Sequence, residues 1–379
     1  MRQLKTLQNR YRRYAQGFGI LELMVAMGLS ILLLIGVITV FSGTRSTYEV
    51  NDRIARLQEN GRFALDAIVR DIRSAGFQGC TRQLPGNATP ISTLNQPAGM
   101  ALITGYTTSP AVFGLDFTSS GVWTPALDAA WVSGAVDGSD IIVVRRPKPD
   151  AVPVAISASM TATTDNVTVP TTASFSRGDT ALIDDCKRRT FFQVTLYDSA
   201  TGTIHHDPSG ATSTFIGNAT ADLGSAYEVR GALNMVGDTA TATIIPMQSV
   251  IYFLRNSTSG TGTSLWRRVD TNNPEELIEG VEAMQFLYGV DNNGDGEADQ
   301  YVRANAVTNL SSIVSVTVGL LLRSSDTYGT IDADSRVYQL FGPAYLDAEA
   351  NFQAPGDRRL RQVFTATATI RNFANPKSF

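Results

Sequence analysis

From Phe18 to Phe41 the chain runs 24 positions with one charge, Glu22, and this run limits what the remainder can be. At roughly 1.5 Å per residue such a helix can cross a bilayer, for which about 20 apolar residues suffice. Residues 1–17 hold Arg2, Lys5, Arg10, Arg12 and Arg13 and no acid. Basic flanks stay in the cytoplasm, so the chain from about Thr44 onward is expected on the far side of the membrane. A Sec signal peptide would have a shorter apolar core, of about 7–15 residues, and a small-residue cleavage site; Val40-Phe41-Ser42 is a weak match. No cysteine stands at the end of the run to carry a lipid anchor.

Glu22 is the residue that a plain anchor does not explain. A carboxylate inside a membrane helix costs a few kcal/mol and usually marks function or a partner. Cleavage after Gly17 would give Phe18 a free ammonium group, and a neighbouring copy's ammonium could then meet this carboxylate where helices pack, in a medium without competing water. Gly17-Phe18 followed by Glu22 and Leu23-Met24-Val25-Ala26 resembles the class III signal of type IV pilins and type II secretion pseudopilins. That resemblance implies that prepilin peptidase cuts after Gly17 and methylates the new N-terminal Phe18, and that Phe18 and Glu22 serve subunit docking. The departure from the family's pattern is Gly19, where Thr or Ser is more usual.

The chain has 379 residues, 43% of them apolar and 17% charged, enough for one large exported domain or two small ones. Its net charge is −4, and loss of the five leader cations leaves −9 before termini. Acidic charge without a basic patch argues against nucleic acid as a partner.

Ser42-Gly43 offers a place to bend. Beyond it Val50, Ile54, Leu57, Gly61, Leu65, Ile68 and Ile72 recur at spacings of three and four, one stripe of an amphipathic helix. The other face is expected to carry Asp52, Arg53, Arg56, Glu59, Arg62, Asp66, Arg70, Asp71 and Arg73, several at opposite-charge spacings. Gly76 is a suitable stop. One long helix from Phe18 to about Ala75 follows.

After Gly76 the texture changes to Gly, Ser, Thr and Ala with short β-type runs. Strands are expected at Asp140–Arg146, Asp179–Ile183, Thr190–Tyr197, Gln248–Arg255, Ser264–Val269, Val281–Tyr288, Ser312–Arg323 and Arg361–Arg371. In Ser312–Arg323 a period of two predicts one core face. Residues 84–138 and 198–247, low in charge and rich in small side chains, read as excursions from the sheet. The fold class is therefore α+β: a long N-terminal helix, half for the membrane and half amphipathic, packed on a C-terminal, mostly antiparallel β domain. The expected divisions are a leader (1–17), a membrane or filament-core helix (18–41), its amphipathic continuation (42–76) and a periplasmic β-rich domain (77–379).

The chain has two cysteines, Cys80 and Cys186. In an oxidising periplasm an even pair favours a disulfide over two buried thiols or a redox couple, since C-x-x-C spacing is absent. Closing a loop of about a hundred residues would stabilise the fold by up to roughly 4–5 kcal/mol in the chain-entropy picture.

The wording around these residues narrows the resemblance. Leu57-Gln58-Glu59-Asn60-Gly61-Arg62-Phe63-Ala64-Leu65, then Asp71-Ile72-Arg73-Ser74-Ala75-Gly76-Phe77 and Gly79-Cys80, is similar to the PilW type of minor pilin. So are Asp185-Cys186 with Phe192-Gln193-Val194, Gly280-Val281-Glu282 with Tyr288-Gly289-Val290-Asp291, and the closing Val363-Phe364 and Arg371-Asn372. The matching order, from residue 17 to 372, spans nearly the whole chain.

Two clusters invite a chemical reading. Asp291, Asn293, Asp295 and Asp299, with the Glu297 carbonyl, place oxygens at alternate positions of a glycine-bearing loop, as a Ca²⁺ site does. The loop is not an EF-hand, because the twelfth position is Val302. The bland alternative is a polar hairpin turn at Asn293-Gly294. His205 and His206 beside Asp207 suggest a metal or acid/base group, but Pro208, Ser209 and Gly210 indicate an exposed turn, and adjacent strand residues point to opposite faces. Asp184-Asp185 and Glu275-Glu276 read as solvated strand or turn ends. There is no G-x-S-x-G, H-E-x-x-H or G-x-x-x-x-G-K, so an enzyme is not expected.

The resemblance implies a minor pilin of the inner membrane, single-pass with a periplasmic C-terminal domain and carried after assembly to the cell surface. It implies work with prepilin peptidase, other minor pilins, the major pilin and a PilY-type tip adhesin to prime pilus assembly at or near the tip, supporting twitching motility and adhesion. A J-type secretion pseudopilin and a membrane-anchored periplasmic binding module are the alternatives.

Overall fold

The computed structural model describes residues 19–77, 79, 90–95, 111–118, 121–126, 132–210, 212, 215–230, 241–325, 327, 332–343, 345 and 351–372. One helix, α1 (Ile20–Ser74), carries both the apolar run and the amphipathic stripe. It passes Ser42-Gly43 unbroken. The hydroxyls of Thr44 and Thr47 there donate back to the carbonyls of Val40 and Gly43 at 2.9 and 3.0 Å, within the helix rather than against it. The chain forms two compact units, residues 1–55 and 56–379, so the last five turns of α1 belong with the β domain.

In chain order the strands are β1 (Ile91–Ser92), β2 (Val112–Phe117), β3 (Trp123–Thr124), β4 (Ile141–Pro147), β5 (Val154–Ala155), β6 (Val167–Thr168), β7 (Thr180–Asp184), β8 (Arg189–Gln193), β9 (Leu196–Asp198) and β10 (Thr203–His205). There follow β11 (Thr243–Asn256), β12 (Thr263–Val269), β13 (Glu275–Glu279), β14 (Val281–Val290), β15 (Gln300–Val302), β16 (Ile313–Arg323), β17 (Val337–Gln339), β18 (Asn351–Gln353) and β19 (Arg361–Thr369). The large sheet has the order β1-β8-β7-β11-β4-β2-β3, with β5 and the β12-β13 ribbon also joined to β11. Its pairs are antiparallel except β1 with β8. A second, antiparallel sheet has the order β15-β14-β16-β19, and two small sheets are β6-β10-β9 and β17-β18.

The main core lies where α1 meets both large sheets. Leu57, Ala64, Ile68 and Ile72 pack with Ile142 and Val144 of β4, Val250 and Tyr252 of β11, Phe286 of β14, and Val316, Val318 and Leu320 of β16. Each large apolar side chain buried this way contributes about 1.5–3 kcal/mol. Gly61 sits where the helix comes closest to β19: a Cβ there would fall 2.3 Å from the Phe364 ring. The three-and-four spacing of the sequence thus puts its stripe on the core.

Four expectations need correction. The stretch 84–138 is not an excursion throughout, because within it β2 is a buried strand in register with β4 from Val112↔Val144 to Leu115↔Ile141. Residues 198–247 likewise hold β10 and the start of β11, and they bury Leu223 and Tyr227 in a core of their own. Thr190–Tyr197 is two strands, since β8 pairs with β7 in the large sheet and β9 with β10 in a small one. In β16 both faces are core: Val316, Val318 and Leu320 face α1, while Leu321 packs with Ala283 and Leu340 on the side of β17-β18.

Candidate assembly and membrane interface

From Ile20 to Phe41 the large apolar side chains of α1 are 55–82% exposed. By length and composition the helix is long and apolar enough to cross a membrane. A continuous apolar surface of this size belongs in lipid or against other apolar helices. Glu22 lies in the first turn of α1, where the unsatisfied N–H groups favour an anion. Its backbone N–H donates to the Gly19 carbonyl at 3.0 Å. Gly17 and Phe18 lie outside the described residues.

At its other end α1 is locked to the β domain by a group that the charge pattern misassigns. Asp71, expected on the solvated face, is 5% exposed. Its Oδ1 lies 2.9 Å from Arg146 Nε of β4, and its Oδ2 accepts from the Tyr252 hydroxyl of β11 at 2.8 Å. Burial, followed by the Asp71 charge, raises the Tyr252 hydroxyl pKa far above its usual value. The Gly76 N–H donates to the Arg145 carbonyl, and Asn372 Nδ2 donates to the Ala75 carbonyl. Removing one partner of a buried ion pair costs about 3–5 kcal/mol. Asp71→Ala in the full chain is therefore expected to lower the thermal midpoint of the β domain in detergent by several degrees, read by circular dichroism; an unchanged midpoint would reject the lock.

Cys186 carries no free thiol and has φ 67. Its N–H donates to Asp184 Oδ1 at 3.2 Å. Cys80 lies outside the described residues, but the neighbouring Gly79 is pressed on the end of β7, where a Cβ would fall 2.2 Å from Asp184 Oδ2. Asp184 and Asp185, expected to be solvated, are 1% and 2% exposed. Asp185 holds the turn: its Oδ1 accepts from the N–H groups of Lys187 and Arg188 at 3.0 and 2.6 Å, and its Oδ2 accepts from the Arg188 guanidinium.

In the loop Asp291–Asp299 the side-chain oxygens are taken up by the loop itself. Asp291 accepts from the N–H groups of Asn293, Gly294 and Gly296 at 3.2, 2.6 and 2.7 Å, while Asp295 accepts from Glu297 N–H and Asp299 from Asn292 N–H. Burial acts against it, yet these N–H donors hold the Asp291 carboxyl below its usual range. Asn293 Nδ2 lies 3.2 Å from both Asp295 Oδ2 and Asp299 Oδ1. An amide thus stands where these two carboxylates meet. Among the described residues no group of three or more His, Cys, Asp or Glu is placed to hold a metal.

The histidines separate. His206 is not in an exposed turn: it is 1% exposed, with Nε2 2.9 Å from the Asp165 carbonyl and its ring edge-on to Phe192 at 5.6 Å. Burial lowers its pKa, which favours the neutral ring. His205, more exposed, has Nδ1 3.8 Å from Asp207.

One buried polar group was not singled out by the sequence. Asp140, at the start of β4, accepts from the N–H groups of Phe117 and Phe286, each at 3.1 Å, and from Arg303 Nη2 at 3.2 Å. It therefore stitches β2 of the large sheet to β14 of the second. Burial raises its carboxyl to about 8, against the pull of Arg303.

Residues 251–372 match the family model described as Type IV Pilus-assembly protein W. Among solved structures the chain is similar to a type IV-like pilin from Thermus thermophilus, at 19% identity over 34% of this chain and 67% of that one, with a TM-score of 0.25. No curated protein matches. The likeness to PilW read from the sequence is thus met by the family's model from the second half of β11 through β19, the stretch that supplies the second sheet beneath α1.

Proposed function

We propose that this chain is a minor pilin of a type IV pilus. The observation that carries this reading is α1 from Ile20 to Phe41, apolar and exposed along its length with one carboxylate in its first turn, joined to a domain with a PilW match. In this reading the basic leader holds the N-terminus in the cytoplasm, prepilin peptidase cuts after Gly17, and Phe18 becomes the methylated first residue. The apolar helix waits in the inner membrane and then moves sideways into a bundle of like helices. There the Glu22 carboxylate meets the Phe18 ammonium of a neighbour. The β domain stays outside, carried by the amphipathic half of α1, and works with other minor pilins and a PilY-type adhesin near the tip to prime assembly.

Cys186 is paired in this reading with Cys80, the only other cysteine of the chain; the absence of a free thiol at Cys186 and the seat of Gly79 on Asp184 support that pairing. The bond ties the segment after α1 to the end of β7.

Mass spectrometry of the native N-terminus tests the reading directly. The expected product begins at Phe18 and carries one added methyl group. A purified chain that begins at Met1 would make it a plain anchored protein.

A further inference from the structure

We propose that Lys148 and Asp179 form an intramolecular isopeptide bond, with Asp270 as the proton relay, so that β4 and β7 are cross-linked over the strand between them. Both strands pair with β11 from opposite sides, and the registers coincide: Met247 faces Pro147 of β4 and Thr180 of β7. Lys148 is the next residue after β4 and Asp179 the residue before β7, so the two side chains meet across the Pro246–Gln248 stretch of β11. Lys148 Nζ is in direct contact with Asp179 Oδ1, the side chains being 35% and 15% exposed. They line a groove of about 640 Å³ walled by Pro149, Pro170, Phe175 and Pro246.

The surroundings supply what amide formation needs. Asp179 Oδ2 accepts from the Ser176 N–H at 2.9 Å, which fixes the carboxyl and stands ready for negative charge developing on that oxygen. Asp270 sits on the same edge of β11 as Asp179: its N–H donates to the Ser249 carbonyl at 2.8 Å and its carboxyl accepts from the Ser249 N–H at 2.7 Å, two residues on from Met247, which faces Thr180. Burial raises that carboxyl to about 7, so it can both give and take a proton near neutrality.

The step balances without a co-reactant. Proton transfer from the Lys148 ammonium to Asp179 gives a neutral amine and a neutral acid, the pair from which an amide can form. Nζ attacks Asp179 Cγ, and negative charge collects on Oδ2 facing Ser176 N–H. Asp270 takes a proton from Nζ and returns it to the departing Oδ1. The Cγ–Oδ1 bond breaks as the Nζ–Cγ bond stays, and one water leaves for the amide formed.

The proposal stands apart from the pilin reading, because its test reads a bond. Intact mass of the purified full chain, with processing, methylation and cysteine oxidation accounted for, should be lighter than the sequence by one water. A digest should yield a branched peptide joining Lys148 to Asp179. Lys148→Arg and Asp270→Asn should each restore the missing water in the folded, detergent-purified chain. Wild-type protein of full mass overturns the proposal, and so does a water loss that maps elsewhere, such as a succinimide at Asp137-Gly138 or Asp295-Gly296.

Discussion

Glu22→Ala is expected to leave the precursor cleaved and membrane-bound while surface filaments fall to a small fraction of the wild-type number. In the proposed reading the cut lies five residues away, on the cytoplasmic side, so the peptidase should not read the carboxylate. Docking should. Among apolar helices an ammonium and a carboxylate meet without water, and loss of one partner strands the other. If the pair contributes even about 2–3 kcal/mol, the docking equilibrium drops roughly 30- to 140-fold. Glu22→Gln separates charge from shape: it keeps the length and a hydrogen-bonding oxygen, and should resemble alanine if charge is what matters. The measurement is a count of filaments by electron microscopy beside an immunoblot for the processed chain. Normal piliation in Glu22→Ala would remove the docking role, and an uncleaved precursor would move Glu22 to processing instead.

What the sequence could and could not disclose follows from the range of the interactions. The apolar run and the stripe through Leu57, Gly61, Ile68 and Ile72 are local patterns with helical period, and α1 holds them within one or two residues of the expected ends. The long strands β4, β11, β14 and β16 were legible because each is a dense apolar run. Asp71 reads as a surface residue by type and as a core residue by position. It stands seven residues after Ala64 and three after Ile68, which is the buried stripe, and its partner Arg146 comes from a strand 75 positions later. That spacing was the available signal. His206 shows the same limit: Pro208 and Gly210 describe the local turn, while Asp165 and Phe192, which bury the ring, are distant in the chain. The short strand β2 was lost inside a stretch of small residues, although Val112, Phe113, Leu115 and Phe117 are β formers. Of the candidate site, the carboxylate in the apolar helix was legible at once, whereas the Asp140 stitch, made by three separate segments, had no sequence signature.

Arg361→Ala should be among the most damaging substitutions to the stability of the β domain. The strand beginning at Arg361 was legible, but nothing local revealed that its first side chain is wholly buried. The guanidinium holds Glu282 of β14 with two bonds, Nε to Oε2 at 2.6 Å and Nη2 to Oε1 at 3.0 Å. It holds Asp357 with two more, at 2.6 and 2.9 Å, and Nη1 lies 3.4 Å from Asp334 Oδ2. One fork thus closes three carboxylates around the end of the second sheet, and its removal leaves them the longer contacts of Arg323 with Glu282 and Arg359 with Asp357, at 3.5 and 3.6 Å, and the Arg336 bond to Asp334. The expected loss is about 3–5 kcal/mol. Arg361→Lys should recover only part of it, since a point charge cannot bridge two carboxylates in the same plane. Acid gives an independent readout. The hydrogen bond from Arg361 holds Asp357 below its ordinary 3.8, so its contribution is complete above that value and is lost as pH falls through the lower folded one. Wild type should therefore lose stability as pH drops below about 4, while Arg361→Ala, whose Asp357 returns toward 3.8, should lose less over the same interval. Asp334 does not follow, because hydrogen bonds from Arg336 and Tyr338, acting against burial, keep it low without Arg361. Urea unfolding of both proteins at pH 7 and pH 3 separates these effects; equal stability at pH 7 would show that Arg361 is a spectator of its carboxylates.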